Sequence, residues 1–393
     1  MTVDTVTVHD DIKLHDDGRV EPSSPGQPKA KGHHHGKVET AIVLQGGGAL
    51  GAYEYGVLKA LYERRPGFEP IAVTGISIGA ITAAVLGGAK SDPIAALDEL
   101  WRNRLTVSSP LPIPWLPPLV EQSLAVYGNP GMYWLNPELY LSPYTATSLY
   151  DTAPLRTTLA DLVDPIRLTR EKPRVVVGAI NVGSGEMEFF DPLGPGGLTF
   201  DHVLASGSLP PGFPMTAIGE ELYWDGGLFS NAPLGPAINA LEEVDGDPGV
   251  ARELIVVELF PMRAPVPGNL PAVFDRMQRL QYTSRLKLDQ AFFDKINGMV
   301  DVLARVDREL PLDSPLRDDT TYKQLCAHRK IDHFNVVTST LPAELSNASD
   351  FSRSTIRARI QAGYQDAIAQ GIGSVNSPGL RPGTIGRGPH TGG

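Results

Sequence analysis

Cysteine is almost absent from this chain of 393 residues: a lone Cys326 forbids both an intrachain disulfide and a thiolate zinc cage. Basic residues are outnumbered, 34 Lys and Arg against 45 Asp and Glu, and no block gathers them. A net charge of -11 without a basic stripe argues against nucleic acid as a partner, because phosphate contacts need clustered cations. Long apolar runs are missing too. The longest, around Ala80 to Ala89, falls far below the roughly 18 residues of a membrane span. The first residues, Met1 to Asp4, show neither the charged n-region nor the apolar h-region of a signal peptide. The expectation is a soluble, cytoplasmic protein, peripheral to membranes if it meets them at all. Histidine is scarce where it could serve chemistry: His9, His15, His33, His34, His35 and His390 lie near the ends, leaving His202, His328 and His333.

What the chain has in excess is glycine and proline, 41 and 35 residues, against a combined share of about 12% in ordinary proteins. Part of the excess lies at the ends. Residues 1–38 hold no aromatic side chain, and residues 371–393 contain eight Gly and three Pro. Neither segment can bury enough apolar surface to offset its ordering entropy, so both read as disordered tails. Residues 106–150 hold eight prolines and seven of the 28 aromatics, among them Trp115, Tyr127, Tyr133, Trp134 and Tyr144. Proline breaks helices, so this segment reads as an irregular apolar cap over a site or as a loop packing its own aromatics.

Between the tails, β-branched runs alternate with helical periodicity, the pattern of an α/β fold with a mostly parallel sheet. Strands are expected at 40–44, 71–74, 174–181, 186–190, 254–259 and 334–338. Helices are expected at 50–64, 78–87, 93–104, 234–243, 270–308 with breaks, and 352–369. Val273, Met277, Leu280, Leu286, Phe292, Phe293, Ile296 and Met299 recur at helical spacing, which reads as a core-facing stripe.

Three motifs carry chemistry. Gln45-Gly46-Gly47-Gly48-Ala49-Leu50-Gly51 falls where a strand ends and a helix begins. Gly46, Gly48 and Gly51 match the spacing of a dinucleotide fingerprint, but the acidic residue that should close the second strand is missing. The same geometry serves as an anion cradle, with backbone N–H groups aimed at a negative oxygen. Gly75-Ile76-Ser77-Ile78-Gly79 lies between a β-branched run and a small-residue helix. That is the strand, sharp turn and helix of a nucleophile elbow, and it makes Ser77 the candidate nucleophile. The bland alternative is a tight turn with a capping serine. None of the three central histidines has a distinctive setting as its base. Tyr223-Trp224-Asp225-Gly226-Gly227-Leu228, followed by Asn231 and Pro233, offers Asp225 instead. An apolar setting would raise its pKa towards the range a base needs near neutral pH.

In this order, the three motifs resemble those of the patatin-like phospholipase family. Ala205-Ser206-Gly207-Ser208-Leu209-Pro210-Pro211-Gly212-Phe213-Pro214 looks like the block that precedes the family's Asp motif, with Ser208 where alanine is more usual. The resemblance covers about Glu39 to Leu241; residues from about 260 to 370 are similar to a C-terminal extension of some bacterial members. It implies a three-layer α/β/α patatin-like fold with a mostly parallel central sheet and a nucleophile elbow. It also implies a Ser-Asp dyad, Ser77 with Asp225, cleaving fatty acyl esters through an acyl-enzyme. The oxyanion would be held at Gly46, Gly47, Gly48 and Ala49, with Gly51, Gly75, Gly79, Gly226 and Gly227 shaping the motifs. The expected organisation is a catalytic domain at 39–260 and a helical extension at 261–370 packed on or beside it. A lipid or fatty acyl ester substrate is expected, with no cofactor and no metal; transient contact with a lipid interface and homo-oligomerisation are both compatible with the composition. An acyltransferase, an esterase for small or polyester substrates, and a non-catalytic lipid-binding module are the competing readings.

Overall fold

The computed structural model describes residues 37–108, 127–170, 172–244, 250–260, 266–283 and 286–372. Most of both expected tails, and the first part of the Pro-rich segment with Trp115, lie outside the described residues.

The chain begins as strand, helix, strand, helix: β1 (Val38–Leu44), α1 (Gly51–Arg64), β2 (Ala72–Gly75), α2 (Ile78–Gly88) and α3 (Pro93–Glu99), whose last turn widens into a π-helix at Leu100–Arg104. A small three-stranded sheet follows, β3 (Gly128–Asn129), β4 (Tyr133–Leu135) and β5 (Tyr150–Asp151), with α4 (Glu138–Leu141) between its last two strands. Next come α5 (Ala153–Leu162), β6 (Arg174–Asn181), β7 (Met187–Phe190), α6 (Phe200–Ser206), β8 (Thr216–Ile218), β9 (Glu221–Asp225), α7 (Leu234–Glu242) and β10 (Ala251–Glu258). The C-terminal part supplies α8 (Leu270–Tyr282), α9 (Leu286–Glu309), α10 (Thr320–Ala327), β11 (His333–Thr338) and α11 (Arg353–Ala369).

The large sheet has eight strands in the order β11-β10-β1-β2-β6-β9-β8, with β7 also paired to β6. From β11 to β6 every pair is parallel, while β7, β8 and β9 run antiparallel to their neighbours. The parallel strands are apolar on both faces, as strands covered by helices on both sides must be. In β1, Ile42 and Leu44 enter a core with α1, α2, α3 and α11, whereas Ala41 and Val43 enter a second core with α7 and Phe293 of α9. The result is an α/β fold of three layers with a mostly parallel central sheet.

Residues beyond 260 are woven into these layers. Strand β11 extends the sheet beside β10, and α11 packs on α1 at a crossing too tight for side chains. A Cβ at Gly56 would lie 2.1 Å from the Ile360 carbonyl oxygen, and one at Gly363 would lie 2.1 Å from that of Tyr53. One expectation fails: Val273, Met277, Leu280 and Met299 do not face a core but are about half exposed. The helices form and Phe293 does enter a core, but these four look outward and Ile296 is half-buried; the side chains of Leu286 and Phe292 lie outside the described set.

Register positions the site. Leu44 of β1 is level with Gly75 of β2 and Val257 of β10, so their carboxyl ends finish side by side. This edge is where open α/β sheets bind ligands. Gly75 is level with Val177 of β6, and β9 comes back against β6 with Asp225 opposite Ala179. Asp225 therefore arrives two residues beyond the end of β2, the height at which Ser77 stands.

Candidate active site

Ser77 occupies the turn between β2 and α2 with φ 56° and ψ -123°. It is the one non-glycine residue with positive φ among the described residues, a conformation that costs of order 1–3 kcal/mol and persists only where the surroundings hold it. The flanking glycines hold it by proximity. A Cβ at Gly75 would lie 2.3 Å from the Gly79 carbonyl oxygen, and one at Gly79 would lie 2.5 Å from that of Leu44. Ser77 is the N-cap of α2, yet its hydroxyl makes no capping bond, which leaves Oγ for other partners. Its backbone N–H donates to Ser206 Oγ at 3.0 Å, fixing the tip of the turn from α6.

Ser77 and Asp225 line one cavity, and the Ser77 hydroxyl favours the charged form of the Asp225 carboxylate. Asp225 is 1% exposed and ends β9; its carboxylate accepts the Gly227 N–H at 2.7 Å, and its own N–H donates to the Ser208 carbonyl at 3.0 Å. Burial raises its pKa from 3.8 to about 7, against the opposing influence of the Ser77 hydroxyl and the Gly227 N–H. The serine at 208 is accommodated: its hydroxyl donates to the Leu204 carbonyl at 2.9 Å and pairs with Thr216 Oγ1 at 2.8 Å.

The glycine loop divides in two. Gly46 donates its N–H to Asn231 Oδ1 at 3.1 Å and accepts from Asn231 Nδ2 at 3.0 Å. The Ala49 N–H donates to the Ala348 carbonyl at 2.8 Å. Both donors are spent, which corrects the expectation that Gly46 and Ala49 would offer theirs to an anion. The N–H groups of Gly47 and Gly48 have no acceptor among the described residues. Gly48 has φ 54°, and a Cβ there would lie 2.5 Å from the Ala348 carbonyl oxygen, so only glycine fits.

Ser77, Asp225, Gly47 and Gly48 share a cavity of about 600 Å³. One wall is apolar, built by Ile78 and Ile81 of α2, Met132, Leu209 and Phe213, with Tyr133, Tyr150 and Phe213 in mutual ring contact. Here the second part of the Pro-rich segment does line the cavity. Phe260, Arg279, Tyr282 and residues 346–349 complete the lining with a more polar part that comes largely from beyond residue 260.

Among the described residues, no histidine lines this cavity. His202 Nδ1 accepts the Thr199 N–H in a capping box, and its ring stacks on Phe190 at 4.3 Å. His328 pairs with Glu242, and His333 opens β11 at the far edge of the sheet. Among the described residues, no group of three or more His, Cys, Asp or Glu side chains is placed to hold a metal ion, and no helix is long and apolar enough to cross a membrane.

Sequence reasoning pointed to Ser77 and Asp225, which line one cavity, but gave no role to Asn231 or Ser206. Asn231 ties Gly46 to the Tyr282 carbonyl, and Ser206 braces the elbow. Asn231 follows the Asp motif closely, yet its partner is 185 positions away, and only the folded register brings them together.

Comparison with known proteins supplies the family. Residues 42–238 match the family described as patatin-like phospholipase, and residues 280–370 match a second described as patatin phospholipase. No curated protein matches significantly. Among solved structures, VipD from Legionella pneumophila aligns at 16% identity over 86% of this chain and 66% of its own, with a TM-score of 0.36. A chain of the heterodimeric ExoU-SpcU complex from the type III secretion system of Pseudomonas aeruginosa aligns at 17% identity over 85% of this chain and 75% of its own, with a TM-score of 0.28. This chain thus spans just under two thirds of the VipD chain. With the first profile covering half of its length and the second reaching to residue 370, the chain belongs to the patatin-like phospholipase family.

Proposed function

We propose that this protein is a serine lipid acyl hydrolase that cleaves fatty acyl esters through a Ser77-Asp225 dyad and an acyl-enzyme. The observation that carries this reading is a strained elbow serine facing the same cavity as a buried carboxylate of raised pKa, together with apolar lining and two unused backbone donors. In the first half-reaction Ser77 Oγ attacks the acyl carbonyl carbon while its proton passes to Asp225. The oxyanion that develops is held by the N–H groups of Gly47 and Gly48, near the N-terminus of α2. Collapse of the tetrahedral intermediate breaks the ester bond, and the departing alkoxide takes the proton from Asp225. A water molecule then attacks the acyl-serine with Asp225 again as base, releasing the fatty acid and restoring Ser77. The carboxylate does here what histidine does in a triad; a pKa near 7 lets it both accept and return a proton at neutral pH.

The apolar wall supports a fatty acyl chain as the bound part of the substrate. Exposed Trp134, Tyr140, Leu141 and Tyr144, in the segment that also lines the cavity, support transient contact with a lipid interface. Residues 39–260 carry the dyad and the glycine loop, and the region after 260 completes the cavity wall.

Release of fatty acid from a phospholipid and from a p-nitrophenyl ester tests the reading. Ser77→Ala and Asp225→Asn each lower kcat by at least about 10³-fold, within the range for loss of a nucleophile or base. Retained turnover in Asp225→Asn, with loss in His328→Ala or His333→Ala, would replace the dyad by a triad. Analysis of products in the presence of an alcohol acceptor distinguishes hydrolysis from acyl transfer.

A further inference from the structure

Arg359 of α11 is 0% exposed, and the buried Asp350 carboxylate attracts its charge. Its guanidinium is spent on four backbone carbonyls. Nε donates to Leu345 at 2.8 Å, Nη2 to Asn347 at 2.6 Å, and Nη1 to both Asp350 at 2.8 Å and Ala49 at 3.1 Å. The first three acceptors belong to a strap, residues 345–350, that lines the cavity; the fourth belongs to the glycine loop. The strap returns the contact, since the Ala348 carbonyl accepts the Ala49 N–H and lies against Gly48. Ala49 is therefore held at both its N–H and its carbonyl by the C-terminal region, directly after the two donors left unused.

The tight crossing of α11 on α1 at Gly56 and Gly363 makes this reach possible, because it brings Arg359 to the N-terminal end of α1. Only a planar fork of five donors can serve four carbonyls at once, and lysine offers three donors from a single point. Desolvating a guanidinium is costly unless its hydrogen bonds are satisfied, and here the four carbonyls of the strap and the glycine loop satisfy them.

We propose that Arg359 is the positioning residue of the oxyanion loop: by clamping strap 345–350 to the Ala49 carbonyl it fixes the direction of the Gly47 and Gly48 N–H groups. The C-terminal region then acts as a built-in part of the active site. This rests on the reading of Gly47 and Gly48 as oxyanion donors.

The test compares Arg359→Lys with Arg65→Lys. Arg65 pairs with Glu253 at 2.6 Å and donates to the Ile372 carbonyl at 2.6 Å, so it anchors the other end of α11 without touching the loop. Steady-state hydrolysis of a soluble p-nitrophenyl ester, its pH profile and the thermal midpoint are measured for both. Both variants are expected to melt earlier. Arg359→Lys is expected to lose at least tenfold in kcat, with KM within twofold and the inflection near pH 7 unmoved; Arg65→Lys is expected to keep kcat within twofold. Equal losses of kcat in the two, or a kcat within twofold in Arg359→Lys, would overturn the proposal. If Arg359→Lys does not fold, Ala348→Gly loosens the same strap without disturbing a buried charge. A fall in its kcat of threefold or more then supports the clamp, and an unchanged kcat overturns it. A wild-type protein that hydrolyses no ester at all would strike the underlying functional reading instead.

Discussion

At the scale of the residue, the buried carboxylate of Asp225 links activity and stability to pH in opposite senses. As a base it must be ionised, so kcat/KM should rise with an apparent pKa of about 7, where an ordinary aspartate would already be saturated. For stability, the folded chain holds the Asp225 proton up to about pH 7, while the unfolded chain releases it near 3.8. Between those values the folded state binds more protons, so rising pH removes stability, by up to about 4 kcal/mol at 1.36 kcal/mol per unit. Asparagine at 225 cannot ionise and escapes that loss. Asp225→Asn should therefore melt at or above the wild type at pH 8 while being inactive; a variant that melts well below the wild type at pH 8 would show that the charged form is stabilised in the fold. Ser77 and Asp225 were legible in the sequence because each sits in a short local pattern, G-x-S-x-G and Asp-Gly-Gly. The unused donors were only half legible. Nothing local to Gly46 or Ala49 says that Asn231 and Ala348 consume their N–H groups.

At the scale of the element, periodicity placed the parallel strands and the long helices within a few residues, since each buries a regular apolar face. It missed β8 and β9, three and five residues long at the edge of the sheet, where an antiparallel return replaces a crossover helix. It also misread the outward stripe of α8, because helical spacing marks a face without saying what the face meets. Two elements yield predictions. The crossing of α1 and α11 depends on Gly363 meeting the Tyr53 carbonyl, and the added methyl of Gly363→Ala has only backbone to push against. Thermal or urea unfolding should show a loss of about 1–3 kcal/mol; a neutral variant would mean that the crossing gives way. The β3–β5 segment lines the cavity with Tyr133 and Tyr150 while exposing Leu141 and Tyr144. The double substitution Leu141→Ser and Tyr144→Ser should reduce hydrolysis of vesicle phospholipid several-fold and leave a soluble ester unaffected. An equal fall on both substrates would make the segment a wall only.

At the scale of the whole molecule, the site is assembled from distant parts of the chain. The glycine loop and elbow come from the first 80 residues, the buried Asp225 from β9, and the strap and its clamp from residues 345 to 359. The order of the three motifs made the α/β fold readable and pointed to Ser77 and Asp225, which meet in one cavity. The part played by the last hundred residues was not readable, because Arg359 looks like any helix-surface arginine until α11 is docked on α1. The central claim is that Ser77 is a nucleophile activated by Asp225, and covalent labelling probes it without knowledge of the natural lipid. Wild-type protein treated with a fluorophosphonate should gain one phosphonyl group, mapped to Ser77 by mass spectrometry. Ser77→Ala should gain none, and Asp225→Asn should label far more slowly. Labelling that persists in Ser77→Ala, or a wild-type protein that does not label, would contradict the assignment.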